Sequence, residues 1–151
     1  MEFSQEHIFL NVKATTKIEL FNSIANYAQE QGIVAEALQL VDAFVERENE
    51  VSTGLQDSFA IPHAKADFIK KPTILFLKLQ EPIEWETFDD QAVSNVFALL
   101  VPSQFEGMMH LEMISRIATS LLEEDFVTLV KNSSNVDELQ KIISTVMEGE
   151  Q

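Results

Sequence analysis

The 151-residue chain contains no cysteine. That excludes disulfides, thiolate zinc sites and cysteine nucleophiles, and it fits a reducing compartment. Basic residues are scarce: 10 Lys and Arg stand against 25 Asp and Glu, for a net charge of −15. Binding to nucleic acid or to an anionic membrane needs a cationic face that neutralises phosphates, so neither is expected as a partner. Long hydrophobic runs are missing too. Stretches such as VFALLV at 96–101 fall far short of the roughly 18 residues of a membrane span. The N-terminus MEFSQEHIFL is acidic and has no basic n-region followed by an apolar core, so no signal peptide is expected and the chain reads as cytoplasmic. No G-x-S-x-G elbow occurs, which argues against Ser/His/Asp hydrolysis.

What is present is a 46% apolar chain long enough to bury about 68–70% of its unfolded surface. One domain over 1–151 is expected, with no linker, repeat or low-complexity segment. HIFLNV reads as a short strand. A helix follows from Thr15 or Thr16, with Leu20, Ile24, Tyr27 and Ala28 on one face and Gly32 as its stop. VAEALQLVDAFVEREN reads as a second helix with Leu38, Val41 and Val45 lining its stripe and Phe44 beside it. VSTGLQDSFAIP is broken and β-prone, as two short strands around a turn would be. PTILFLKL and AVSNVFALLV are apolar almost without interruption, the pattern of strands covered on both faces, with Pro102 closing the second. Between them EPIEWETFDD carries five acids and no base, and reads as a loop that doubles as an acidic docking edge for a basic protein. Three amphipathic helices follow: HLEMISRIATSLL, EEDFVTLVKN, and NVDELQKIISTVM with Ser134 or Asn135 as its cap. Strands and helices intermingle, so the fold class is α/β, a mixed central sheet flanked by helices on both faces.

The chain has three histidines and two arginines. His7 has nothing reactive near it in sequence and reads as a surface residue. His63 follows FAIP, and His110 follows FALLVP after a short connection and opens a helix. Ligands in open α/β sheets sit off the carboxyl ends of strands, so these two histidines meet across one crevice if their strands are neighbours. Imidazole, with an unperturbed pKa of about 6.5, is largely the free base at neutral pH and can attack phosphorus. A second histidine can hydrogen-bond the phosphoryl oxygens, and an arginine such as Arg47 can neutralise them. A metal site from His63, Asp67 and His110 is a rival on paper, but HAKAD has no metal-ligand signature.

The ordered motifs narrow this. Arg47–Glu48, then Ser52–Thr53–Gly54, Ala60–Ile61–Pro62–His63, the turn Glu81–Pro82–Ile83–Glu84–Trp85, VFALLVP and the helix opening His110–Leu111, with LNVKATTKIEL near the start, resemble the fructose/mannitol-type enzyme IIA domains of the bacterial phosphoenolpyruvate-dependent sugar phosphotransferase system. The resemblance spans essentially the whole chain. It implies that His63 is the phosphoryl acceptor through Nε2, that His110 hydrogen-bonds the phosphoryl group and that Arg47 binds it, with no metal and no cofactor. It implies phospho-HPr as donor and the cysteine of an enzyme IIB as acceptor, with the membrane enzyme IIC reached only indirectly. Nitrogen-type members that regulate other proteins share the motifs, and a non-catalytic binding module of the same fold is a further alternative. One departure stands out: many relatives carry an N-G-type turn where this chain has Gln56–Asp57–Ser58–Phe59, which brings an extra carboxylate near the phosphate route.

Overall fold

The structure, a computed structural model, describes residues 3–104 and 108–149, the side chains of 108–111 excepted. The two apolar runs form β4 (Thr73–Ile83) and β5 (Val93–Pro102), paired antiparallel with Phe76 opposite Phe97 and Leu75 opposite Ala98. β1 (Ile8–Val12) lies parallel to β4 on its outer side. The other edge of β5 takes two short parallel strands in succession, β2 (Phe59–Ala60) and β3 (His63–Ala66), with Phe59 opposite Asn95 and His63 opposite Leu99. The result is a mixed sheet of five strands. Two sequence readings change here. Glu81–Ile83, read as loop, continues β4, because Ile83 is buried and pairs with Val93. A register irregularity between Lys78 and Ile83 accommodates Pro82, which has no N–H for a regular ladder. His63, read as lying beyond its strand, instead opens β3, because the backbone from His63 to Ala66 is recruited by the free edge of β5.

Alternation along β4 and β5 sends neighbouring residues to opposite faces, and both faces are covered. One core packs Leu75, Leu77, Val96, Ala98 and Leu100 against α1 (Lys17–Glu30) and α2 (Ala37–Glu50). The other packs Ile74, Phe76, Phe97 and Leu99 against α3 (Met108–Ser120), α4 (Glu124–Asn132) and α5 (Val136–Met147). Phe97 stacks on Phe59 and Phe126 and lies tilted against Phe76 at 4.8 Å in that second core. Each such buried ring contributes about 1.5–3 kcal/mol. Among the described residues no helix is long and apolar enough to cross a membrane.

Capping fixes the helix ends. Thr16 caps α1 by accepting from the Glu19 N–H, and Asn135, not Ser134, caps α5 by accepting from Glu138 N–H at 2.9 Å; each is worth about 1 kcal/mol. Gly32, at φ +73°, ends α1 as its sequence position implies. The stripe on α2 is rotated from the sequence reading: Leu40, Val41 and Phe44 are buried, whereas Leu38 is 70% exposed. Phe44 stacks on Phe21 of α1 at 5.1 Å, and that contact, which sequence spacing alone does not contain, sets the helix rotation. His7 sits in a 3-10 turn (Gln5–His7), where its Nδ1 accepts from Ser4 N–H at 2.9 Å and its ring stacks on Phe3.

Candidate functional site

α2 packs beside β3, and this brings the last turn of the helix to the start of the strand. Arg47 Nε lies 3.0 Å from His63 Nε2 and donates to it. Arg47 Nη1 also donates to the carbonyl of Val51 at 2.9 Å, satisfying an end-of-helix acceptor. On the other side of the ring, His63 Nδ1 lies 2.9 Å from the carbonyl of Ile61. A carbonyl only accepts and a guanidinium only donates, so the two contacts fix the tautomer. Nδ1 carries the proton, and Nε2 presents a lone pair. His63 is half-buried, between the buried Pro62 and Ala64 in the chain. The peptide carbonyl of Pro62 accepts from Leu99 N–H at 3.0 Å, which pins the residue before His63 to β5.

The chain leading to the site is folded just as tightly. Leu55 N–H donates to the Phe59 carbonyl, Ile61 N–H to Thr53, and Phe59 N–H to Gln56 at 3.1 Å. Asp57 and Ser58 both have positive φ, at 57° and 68°, which makes Gln56–Phe59 a type I′ turn. An N-G pair makes the same turn, so the departure at this point changes the residues and keeps the geometry. Ser58 is the strained member, because an L residue other than Asn or Asp is disfavoured in the left-handed region. Ser58→Gly is therefore expected to stabilise the fold by about 0.5–1 kcal/mol, even after glycine's greater unfolded-state freedom is counted. A thermal melt checks this: a rise of about 1–4 °C is expected, and an unchanged or lower midpoint contradicts it.

Asp57 N–H donates to Asp89 Oδ2 at 3.0 Å, tying this turn to the acidic segment. That bond is the main cause holding the exposed Asp89 carboxyl below its usual range. A carboxyl whose folded pKa is depressed favours folding above its unfolded pKa, and the tie is lost as pH falls through the folded value, so it is in place at neutral pH. Phe88, 79% exposed, and Val51, 67% exposed, stand out as apolar on a rim otherwise rich in Glu and Asp.

Of the residues singled out in the sequence, the fold brings Arg47 and His63 into contact. His110 is the third residue of α3, the helix that follows β5, and its side chain lies outside the described residues. Among the described residues no group of three His, Asp or Glu could hold a metal ion. A cavity of about 850 Å³ opens between α3, α4 and α5, lined by Arg116, Phe126 and Lys141 among others, and contains neither Arg47 nor His63.

Glu48, Thr53 and Trp85 belong to the sequence motifs, but nothing in the order of residues gives them a task. The structure does: the Glu48 carboxylate accepts from Thr53 N–H, from the Thr53 hydroxyl and from the Trp85 indole N–H. The signal was available in the R-E pair and in the lone tryptophan of the chain, both set in otherwise solvated surroundings.

Comparison with known proteins adds an independent line. The sequence matches the family described as phosphoenolpyruvate-dependent sugar phosphotransferase system, EIIA 2, over residues 1–146. The fructose-specific EIIA component of Haloferax volcanii is 32% identical over 143 residues, covering 95% of this chain and 92% of that protein. The fructose-specific EIIABC component of Bacillus subtilis is 26% identical over 91% of this chain, which spans only 21% of that longer protein. Among solved structures, nitrogen regulatory protein IIA-Ntr from Neisseria meningitidis superposes with a TM-score of 0.81 at 27% identity, over 92% of this chain and 94% of that one. Enzyme IIA for mannitol from Escherichia coli, solved in complex with phosphorylated enzyme IIB, superposes with a TM-score of 0.78 at 23% identity, over 95% and 97% of the two chains, a likeness of fold. With a family match over nearly all of its length and a mixed sheet helix-covered as in those structures, the chain belongs to the EIIA type 2 family of the phosphoenolpyruvate-dependent sugar phosphotransferase system and is a phosphotransferase component.

Proposed function

We propose that His63 accepts a phosphoryl group from phospho-HPr and passes it to the cysteine of an enzyme IIB during sugar uptake of the fructose or mannitol kind. The observation that carries this is the fixed tautomer: a free lone pair on Nε2 with the Nδ1 proton held by the Ile61 carbonyl. In the first transfer Nε2 attacks phosphorus, the Nε2–P bond forms, and the P–N bond to the donor imidazole breaks. Nε2 carries no proton, so no general base is required. The positive charge that develops on the His63 ring is shared with Nδ1–H, where the Ile61 carbonyl stabilises it. Arg47 gives up its bond to Nε2 and turns its N–H groups to the phosphoryl oxygens, a charge-assisted contact. His110, in the first turn of α3, supplies a further hydrogen bond to the same oxygens. In the second transfer the IIB thiolate attacks phosphorus, and the Nε2–P bond breaks with its electron pair returning to Nε2.

One EIIA domain over 1–151, working in the cytoplasm, carries all of this, and IIC is reached only through IIB. The acidic rim from Glu84 to Asp90 draws in a basic carrier, and Phe88 gives it an apolar contact. The regulatory reading has support of its own in the likeness to IIA-Ntr from Neisseria meningitidis. Both readings need acceptance on His63, and they part at the second transfer.

Intact-mass spectrometry after incubation with phosphoenolpyruvate, enzyme I and HPr tests the proposal. One acid-labile phosphoryl group, mapped to the peptide containing His63 and discharged by a cognate IIB, is the expected result. A charged chain that no IIB discharges favours the regulatory reading. An uncharged chain beside demonstrably phosphorylated HPr overturns both.

A further inference from the structure

Glu48 follows Arg47 on the last turn of α2, and its carboxylate joins that helix end to the turn at Thr53, five residues on, and to Trp85, 37 residues on. Oε2 accepts from Thr53 N–H at 2.8 Å and from Trp85 Nε1–H at 2.9 Å, and Oε1 accepts from the Thr53 hydroxyl at 2.6 Å. Thr53 and Trp85 are only 4% and 8% exposed, so these bonds are sheltered from water. Hydrogen bonds to an ionised acceptor in such surroundings are the strong ones. Trp85 is itself held, edge-on to Phe21 at 6.3 Å and beneath the Lys17 ammonium at 5.4 Å.

Two arms run from this carboxylate to His63. One is the helix turn itself. Arg47, the adjacent residue, grips the Val51 carbonyl at 2.9 Å and reaches His63 Nε2 at 3.0 Å, and Val51 leads directly into the Thr53 that Glu48 holds. The other arm passes through the backbone. The Thr53 carbonyl accepts from Ile61 N–H at 3.0 Å, and the Ile61 carbonyl accepts from His63 Nδ1–H at 2.9 Å. Glu48 thus fixes the partners of both ring nitrogens while touching neither. We propose that Glu48 is a positioning residue for phosphoryl transfer, setting Arg47 and the Ile61 carbonyl against His63 and anchoring them to Trp85 at the root of the acidic segment. This rests on His63 being the acceptor.

The test is single-turnover transfer from phospho-HPr to wild type, Glu48→Gln, Arg47→Ala and the double variant, beside nitrogen NMR of the His63 ring. Glu48→Gln keeps the size of the side chain but loses one acceptor oxygen. It is expected to lower the rate at saturating donor by about 10–100-fold, the effect of a small misplacement of reacting groups, with half-saturation little changed. The His63 spectrum is expected to move from the Nδ1–H form toward a mixture of tautomers. In the Arg47→Ala background the same change is expected to cost a clearly smaller factor, because one of its two arms is already gone. A wild-type rate in Glu48→Gln, or fully multiplicative effects in the double variant, overturns the proposal. Should Glu48→Gln fail to fold, Trp85→Phe removes one donor while keeping a ring. A smaller loss of rate with the same spectral change is then expected, and no change in either overturns the proposal. Wild type that takes no phosphoryl group removes the acceptor reading and this inference together; labelled wild type with an unaltered Glu48→Gln removes only the inference.

Discussion

Replacing His63 with alanine is expected to abolish phosphorylation by phospho-HPr while leaving the protein folded. The fold does not depend on the ring. β3 pairs with β5 through its backbone, and the imidazole contributes one hydrogen bond to the Ile61 carbonyl and one from Arg47 at a half-buried position. Losing the two costs about 1–3 kcal/mol, and Arg47 keeps its bond to Val51. The chemistry has no such reserve. No cysteine exists to take over, His7, which accepts from the Ser4 amide, belongs to the 3-10 turn before β1, and His110 is proposed as a hydrogen-bond donor to the phosphoryl oxygens, not as their acceptor. Intact-mass spectrometry and a thermal melt on the same sample check both halves. Full labelling of His63→Ala would remove His63 from the mechanism. Loss of labelling with a collapsed melting midpoint would show that the ring holds the strand and that the loss of transfer says nothing about chemistry.

Gly54→Ala is expected to be the most damaging small substitution near the site. A Cβ on Gly54 would lie 2.3 Å from the backbone carbonyl oxygen of Glu86, 2.8 Å from Thr87 Cγ2 and 2.9 Å from Trp85 Cδ1. The first of these is a backbone atom, fixed because its segment is held by Ser52 Oγ–H to Glu86 O at 2.6 Å and by Trp85 to Glu48. The added methyl therefore forces apart the Ser52–Gly54 turn and the segment after β4. Overpacking of this kind costs about 3 kcal/mol or more when backbone must shift, which lowers the melting midpoint by about 6–12 °C in a chain this long. Transfer is expected to fall as well, because Thr53 sits in the displaced turn. A midpoint within about 2 °C of wild type would mean that the Glu86 carbonyl yields easily, and that the turn is not the rigid piece the Glu48 bonds imply.

Much of this molecule could be read from its residues, for identifiable reasons. The strands β4 and β5 were legible because burial on both faces leaves short, nearly unbroken apolar runs. Gly32 was legible as a helix end, and the caps to within one residue, Thr15 or Thr16 and Ser134 or Asn135, because capping is local chemistry; the structure selects Thr16 and Asn135. What was misread depended on partners far along the chain. The extension of β4 to Ile83 needs Val93 opposite it, and the rotation of α2 needs Phe21 against Phe44. β3 exists because the edge of β5 has free backbone groups to satisfy.

The site divides along the same line. Residue order alone settles which groups are available: three histidines, two arginines, no thiol, a stiff proline before His63 and an acidic segment around Trp85. Family likeness then named His63 and Arg47 together. The state of those groups is a property of the folded chain. The tautomer of His63 follows from a carbonyl on one nitrogen and a guanidinium on the other, and both are placed by contacts that no spacing rule contains. Glu48 shows the difference most plainly. In the sequence it is one acid among 25, whereas in the fold it is half-buried and bonded to two residues that lie 5 and 37 positions away. Local chemistry is written in the order of residues; the pairing of distant groups is settled only when the sheet closes and excludes water from the space between them.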